Sequence, residues 1–87
     1  MRNITFTPDA FDDFTIWAKQ DRKIYQKIVS LINDTLRQPF TGLGKPESLK
    51  HELSGCWSRC ITDEHRLVYK VTDTEIIIVS CRFHYGN

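Results

Sequence analysis

Residues 57–85, WSRCITDEHRLVYKVTDTEIIIVSCRFHY, decide the fold. Stretches 57–62, 66–72 and 76–84 are rich in β-branched and aromatic side chains. The polar breaks between them, Asp63-Glu64-His65 and Asp73-Thr74-Glu75, are short enough for hairpins. The unbroken run Ile76-Ile77-Ile78-Val79 predicts an internal strand covered on both faces. The two strands before it alternate, and a slip of one residue would turn every side chain to the other face. Odd connections at both hairpins place Trp57, Ile61, Leu67, Tyr69, Val71, Ile77, Val79 and Phe83 on one apolar face. The half-polar face then carries Cys60, Arg66, Val68, Lys70, Ile78, Arg82 and His84. An even connection would carry Arg66 or His84 into the apolar set, where a charge is costly. The odd registers are therefore expected, with Arg66 and His84 close together at one end of the sheet.

Upstream of this sheet the chain reads as a short strand and two helices. Residues 3–6 form a candidate edge strand, antiparallel or edge-paired to the later sheet. Thr7-Pro8-Asp9 opens a helix with a capping hydroxyl, a proline suited to the first helical position and an acid at the positive end of the dipole. Phe11, Phe14 and Ala18 recur at helical spacing, with Asp12 and Asp13 turned away. Asp21 caps a second helix over 22–37, whose apolar stripe is Ile24, Ile28, Leu31, Ile32 and Thr35. Residues 38–46, with Pro39, Gly42, Gly44 and Pro46, exclude helix and central strand. The string Gly42-Leu43-Gly44-Lys45 lacks phosphate-loop spacing. Residues 48–53 alternate like a half-buried strand, which places His51 on the apolar side with Leu49 and Leu53. The expected class is α+β: two N-terminal helices packed on one face of a twisted, mainly antiparallel sheet, in the order β-α-α-β-β-β-β.

Composition narrows the function classes. With 87 residues, 40% of them hydrophobic and 26% charged, residues 1–87 suffice for one domain and one modest core. No apolar run reaches membrane-spanning length and no basic-then-apolar segment opens the chain, so no membrane partner and a cytoplasmic location are expected. Three cysteines, Cys56, Cys60 and Cys81, lack the spacing of a zinc site or a disulfide framework and read as thiols in a reducing compartment. No metal or cofactor is expected. A net charge of +1 is too small for a protein that grips bare nucleic acid by charge, so an RNA partner must be held locally or presented by something larger.

Metal-independent RNA cleavage needs a base for the 2′-hydroxyl, a cation on the phosphorane oxygens and an acid for the 5′-oxygen. Glu47, Arg66 and His84 can supply these parts, and Tyr85 offers a ring for stacking a base. Reference pKa values of glutamate and histidine differ by about two units, so near neutrality one is ionised while the other is partly protonated. Arginine suits phosphate through its charged, two-donor fork. Taken by spacing alone, Glu47, Lys50 and Arg59 read more readily as solvated surface charges. His65, in a hairpin loop, receives no role.

The run from Pro39 through Gly42-Leu43-Gly44-Lys45-Pro46-Glu47 to Ser54-Gly55-Cys56-Trp57-Ser58-Arg59 resembles the YoeB (Txe) toxins of the RelE superfamily. So do Ile61-Thr62-Asp63-Glu64-His65-Arg66-Leu67-Val68-Tyr69 and Cys81-Arg82-Phe83-His84-Tyr85, and the match spans essentially the whole chain. The resemblance implies a ribosome-dependent mRNA endonuclease of a toxin–antitoxin pair, with a compact fold like that of microbial ribonucleases. It implies a YefM-type antitoxin, the ribosome and mRNA as partners, and a tendency to form homodimers. It implies Glu47 as general base, His84 as general acid, Arg66 on the phosphate, Tyr85 completing the site, and Lys50 and Arg59 as RNA-binding residues. Two departures stand out. Cys60 follows Arg59 where some members carry a second arginine, and Gly86-Asn87 extend past the tyrosine at which members commonly stop. The competing readings are a catalytically weakened antitoxin-binding module and a ribonuclease that cuts naked RNA.

Overall fold

The computed structural model of the chain describes residues 1–83. Its elements run β1 (Asn3–Phe6), α1 (Pro8–Gln20), α2 (Arg22–Arg37), β2 (Glu47–Ser48), a 3-10 helix (His51–Leu53), β3 (Cys56–Cys60), β4 (Arg66–Val71) and β5 (Glu75–Ser80). The five strands form one sheet in the order β1-β5-β4-β3-β2. β1 pairs parallel to β5, and the other pairings are antiparallel. This is the expected α+β architecture and element order. No helix among the described residues is long and apolar enough to cross a membrane.

The helix ends follow from the capping residues. The Thr7 hydroxyl accepts from Ala10 N at 3.1 Å, and Pro8 needs no partner for an N–H it lacks. Asp21 serves both helices. Its backbone N–H closes α1 on Trp17 O at 2.9 Å, while its carboxylate accepts from Lys23 N and Ile24 N, each at 3.1 Å. The α2 stripe buries Ile28, Leu31, Ile32 and Thr35 as its periodicity requires, and Asp34 with them. α1 turns differently from its reading. Ala10, Phe14 and Trp17 face the core, Phe11 is 55% exposed and Ala18 lies outside. The rotation is set by polar bonds: Trp17 Nε1 donates to Cys81 O at 2.9 Å, and Cys81 N donates to Asp13 Oδ2 at 3.2 Å. An indole N–H inside a core needs such an acceptor. Burial, with Asp13 nearby, pushes the Cys81 thiol up to about 12.

The parity of β3 and β4 is as expected. Cys60 pairs with Arg66 across an odd connection, and Leu67 and Tyr69 are fully buried against the helices, with Trp57 and Val71 packed beside them. β5 overturns the second odd register. Four residues (72 to 75) separate the paired Val71 and Ile76, because Thr72 N donates to Glu75 O at 2.9 Å and closes a tighter turn. Ile76 and Ile78, not Ile77 and Val79, therefore enter the core. A bulge then restores the other phase. Tyr69 pairs with Ile78 but Val68 with Ser80, so Val79 is the extra residue and Cys81 returns to the core. Phe83, expected in the apolar set, is 57% exposed.

The strand expected over 48–53 is also corrected. Only Glu47 and Ser48 pair with β3; the chain then turns through the 3-10 helix and back at Gly55 (φ 94°). Leu49 and Leu53 are four residues apart as well as even-spaced, so their pattern suits a turn of helix equally well. His51, with φ 61°, is exposed rather than tucked among them.

Candidate active site

Glu47 is delivered by the segment 38–46, which has no regular structure and is shaped from beneath by Arg59. Arg59 lies on the apolar parity of β3 and is 0% exposed. All five of its N–H donors have an acceptor. Nε donates to the Tyr69 hydroxyl at 3.2 Å. Nη1 donates to Asp34 Oδ2 at 2.7 Å and Leu43 O at 3.0 Å, and Nη2 to Gln38 O at 2.7 Å and Thr41 O at 2.9 Å. Tyr69 passes the contact on, donating to Pro39 O at 2.7 Å. Burial raises its phenol above the ordinary value, so it remains a donor. Asp34 accepts from Leu43 N at 2.9 Å and from Gln38 Nε2 at 3.0 Å. Gly42 and Gly44 are required here. Both have positive φ, and a Cβ on Gly42 would run into the Asp34 carboxylate.

This corrects the RNA-binding role given to Arg59. Its guanidinium is enclosed and saturated, leaving no donor for a phosphate. Its work is to hold the loop that ends at Pro46-Glu47. The hydrogen bond from Leu43, then those from Arg59 and Gln38, hold the Asp34 carboxyl well below the usual carboxylate range. A group depressed in the folded state stabilises fully above its unfolded pKa of about 3.9 and loses that contribution as pH falls through the folded value. The melting-temperature gap between the parent and Asp34→Asn should therefore hold steady from pH 7 to about 5 and narrow below about 4. Thermal melts across that range check it.

On the sheet face turned away from the helices, Glu47 pairs with Ser58, Ser58 with Val68, and Cys60 with Arg66. Opposed residues in antiparallel strands point to one side, so Glu47, Cys60 and Arg66 share this face. Two strand spacings across and two residues along separate the Glu47 and Arg66 Cα atoms by about 12 Å, a span two long side chains can close around a phosphodiester. Glu47 is exposed and Arg66 half-buried. Arg66 Nη1 donates to Thr62 O at 2.7 Å, with longer contacts to His65 O and Asp63 O. Among the described residues its Nε and Nη2 take no acceptor, so a charged edge stays available. Lys50 is exposed just before the 3-10 helix.

His84 and Tyr85 lie outside the described residues. The approach to them is described: Arg66 N donates to Phe83 O at 3.0 Å, and the Arg82 guanidinium lies 5.6 Å over the Trp17 ring. The residues the sequence reading missed are Asp34 and Tyr69. Their signal was a charged residue, Arg59, on the apolar parity between Trp57 and Ile61, which demands a buried counter-charge.

The model of the YoeB-like toxin of bacterial type II toxin–antitoxin systems matches residues 6–85. Toxin YoeB of Escherichia coli K12 is 54% identical over 82 residues, covering 94% of this chain and 98% of that protein. The solved YoeB/ParE toxin from Agrobacterium tumefaciens superposes with a TM-score of 0.93 at 44% identity, covering 95% of this chain and 99% of the other. The toxin of a YoeB–YefM complex from Staphylococcus aureus gives 0.89 at 45% identity, covering 98% and 99%. A match that runs through the loop, the sheet and the terminal motif identifies the chain as a member of the YoeB toxin family of bacterial type II toxin–antitoxin systems.

Proposed function

We propose that this toxin is a ribosome-dependent endoribonuclease that cleaves translated mRNA by metal-independent acid–base catalysis. The observation that carries the reading is the placement of Glu47 and Arg66 on one sheet face, with two guanidinium nitrogens of Arg66 lacking acceptors among the described residues. His84 follows directly on Phe83, whose carbonyl accepts from Arg66's own N–H. His84 is thus the next residue in sequence after one whose backbone is bonded to the candidate phosphate-binding arginine.

In this mechanism the Glu47 carboxylate takes the proton from the 2′-hydroxyl, and the 2′-oxygen attacks phosphorus. Arg66 donates to the phosphorane oxygens as their charge grows. His84 protonates the departing 5′-oxygen, leaving a 2′,3′-cyclic phosphate and a 5′-hydroxyl. Tyr85 stacks on a base beside the scissile bond, and exposed Lys50 contacts the backbone. Cys60, paired with Arg66, occupies the place of a further cation on this face.

The ribosome supplies the electrostatic grip that a net charge of +1 does not. By the same reasoning the neutralising partner is a YefM-type antitoxin, as in the Staphylococcus aureus complex. The test is primer extension on an mRNA incubated with the toxin, with and without translating ribosomes. Cuts only in the ribosome-bound message are expected. Equal cutting of naked RNA would make the protein a free ribonuclease, and no cutting in either case would leave an antitoxin-binding module.

A further inference from the structure

We propose that His65 is a positioning residue for this site, holding the backbone that leads into His84; the inference rests on the nuclease reading. His65 is 7% exposed, in the hairpin between β3 and β4 and directly before Arg66. Its ring meets Trp17 edge-on, with centroids 4.8 Å apart at 75°, and lies 5.9 Å from the Phe83 ring. Its Nδ1 accepts the backbone N–H of Phe83 at 2.8 Å. An accepting Nδ1 carries no proton, so the imidazole proton sits on Nε2, which faces the Glu64 carboxylate at 3.6 Å. The loop fixes His65 in turn: its N donates to Thr62 Oγ1 at 3.1 Å, and its O accepts from Ile61 N at 3.0 Å and Thr62 N at 3.2 Å.

Phe83 is therefore gripped by both of its backbone polar groups, the N–H by the His65 ring and the C=O by Arg66 N. It needs that grip. Its φ is 65°, a left-handed conformation that a bulky residue adopts only when its surroundings impose it. One dipeptide, His65-Arg66, thus supplies the candidate phosphate-binding guanidinium and fixes Phe83, the residue that precedes the proposed general acid in sequence. Acid catalysis depends on placing a proton within hydrogen-bond reach of the leaving oxygen. A residue that holds Phe83 in place acts on turnover rather than on ribosome affinity.

The test compares His65→Asn with His65→Leu in the full-length toxin. The asparagine Oδ1 can stand where Nδ1 stands, whereas leucine fills the space and offers no acceptor. His65→Leu should lower kcat on programmed ribosomes about 100-fold with KM within about twofold, and His65→Asn should restore most of it. Amide exchange at Phe83 reads the tether without any activity: protection should be kept in the asparagine variant and lost in the leucine one. If leucine prevents folding, His65→Gln, with its amide one bond further out, should behave as leucine would. Wild-type kcat in the leucine variant, equal losses in both variants, or Phe83 exchange that does not change would each overturn the proposal. Tethering seen in a parent that cleaves no mRNA would support the tether and sink the nuclease reading instead.

Discussion

Replacing Arg59 by alanine is expected to destabilise the protein by about 3–5 kcal/mol, because it leaves the Asp34 carboxylate buried without its cation. In a domain of this size that is on the order of 20 °C in melting temperature. An exposed arginine that touched only RNA would behave otherwise, shifting stability by no more than about 0.5 kcal/mol. Arg59→Lys keeps the charge but cannot serve five acceptors, so it too should fall well below the parent. A double variant, Arg59→Met with Asp34→Asn, should lose less than the sum of its parts, since the second change removes a charge the first had stranded. Chemical denaturation of the parent, Arg59→Ala, Arg59→Lys, the Arg59→Met and Asp34→Asn single variants and their double measures all of this. An Arg59→Ala protein as stable as the parent would show that the loop does not depend on the buried guanidinium.

Glu47→Gln and His84→Gln are each expected to reduce ribosome-dependent cleavage by about 10²–10⁴-fold, the range for loss of a positioned base or acid. Arg66→Ala should lose a similar factor through the phosphorane charge. It should also lose some stability, since Nη1 ties down the 62–65 loop. Glu47 is exposed and outside the Arg59–Asp34 network, so its variant should melt within about 0.5 kcal/mol of the parent. The contrast is the diagnostic feature: Glu47→Gln fails in catalysis with the fold intact, and Arg59→Ala fails in the fold. Base and acid act in one transition state, so the Glu47→Gln, His84→Gln double variant should be little worse than either alone. Single-turnover cleavage with melting curves on the same preparations separates these outcomes.

The parts of the fold legible in the sequence are those fixed by local chemistry. Thr7-Pro8 and Asp21 mark helix starts because their side chains or ring answer a backbone need within three residues. The α2 stripe and the β3–β4 parity follow from burial on one face. The phase of β5 was not legible. It depends on how tightly Thr72 closes on Glu75 and on an extra residue at Val79, and neither leaves a compositional mark such as glycine. Two departures from the expected pairing nearly cancel beyond the bulge, which returns Cys81 to the phase the odd register had given it.

At the site, Glu47 and Arg66 are legible as chemistry, but the sequence pattern puts only Arg66 on the half-polar face, and the pairing of Glu47 with Ser58 that brings it there is seen only in the structure. The family resemblance carries an RNA-binding role onto Arg59, while its strand parity, between Trp57 and Ile61, points into the core. Asp34 falls three residues after Leu31 on the buried side of α2, so both halves of the ion pair were present in the pattern. What the pattern could not give is that one guanidinium reaches three carbonyls of the loop, because 38–46 has no period from which to infer a path. His65 was overlooked for a related reason, since a hairpin loop residue acquires a partner only once the distant Phe83 returns to it.

In the proposed reaction a carboxylate, a guanidinium and an imidazole act on a single phosphodiester. The most direct measurement is the chemistry of the cut ends from ribosome-bound mRNA. Glu47-dependent attack by the 2′-oxygen predicts an upstream fragment ending in 2′,3′-cyclic phosphate and a downstream fragment beginning with 5′-hydroxyl, both disappearing with Glu47→Gln. Fragments carrying 3′-hydroxyl and 5′-phosphate, or the expected ends persisting undiminished in that variant, would contradict it.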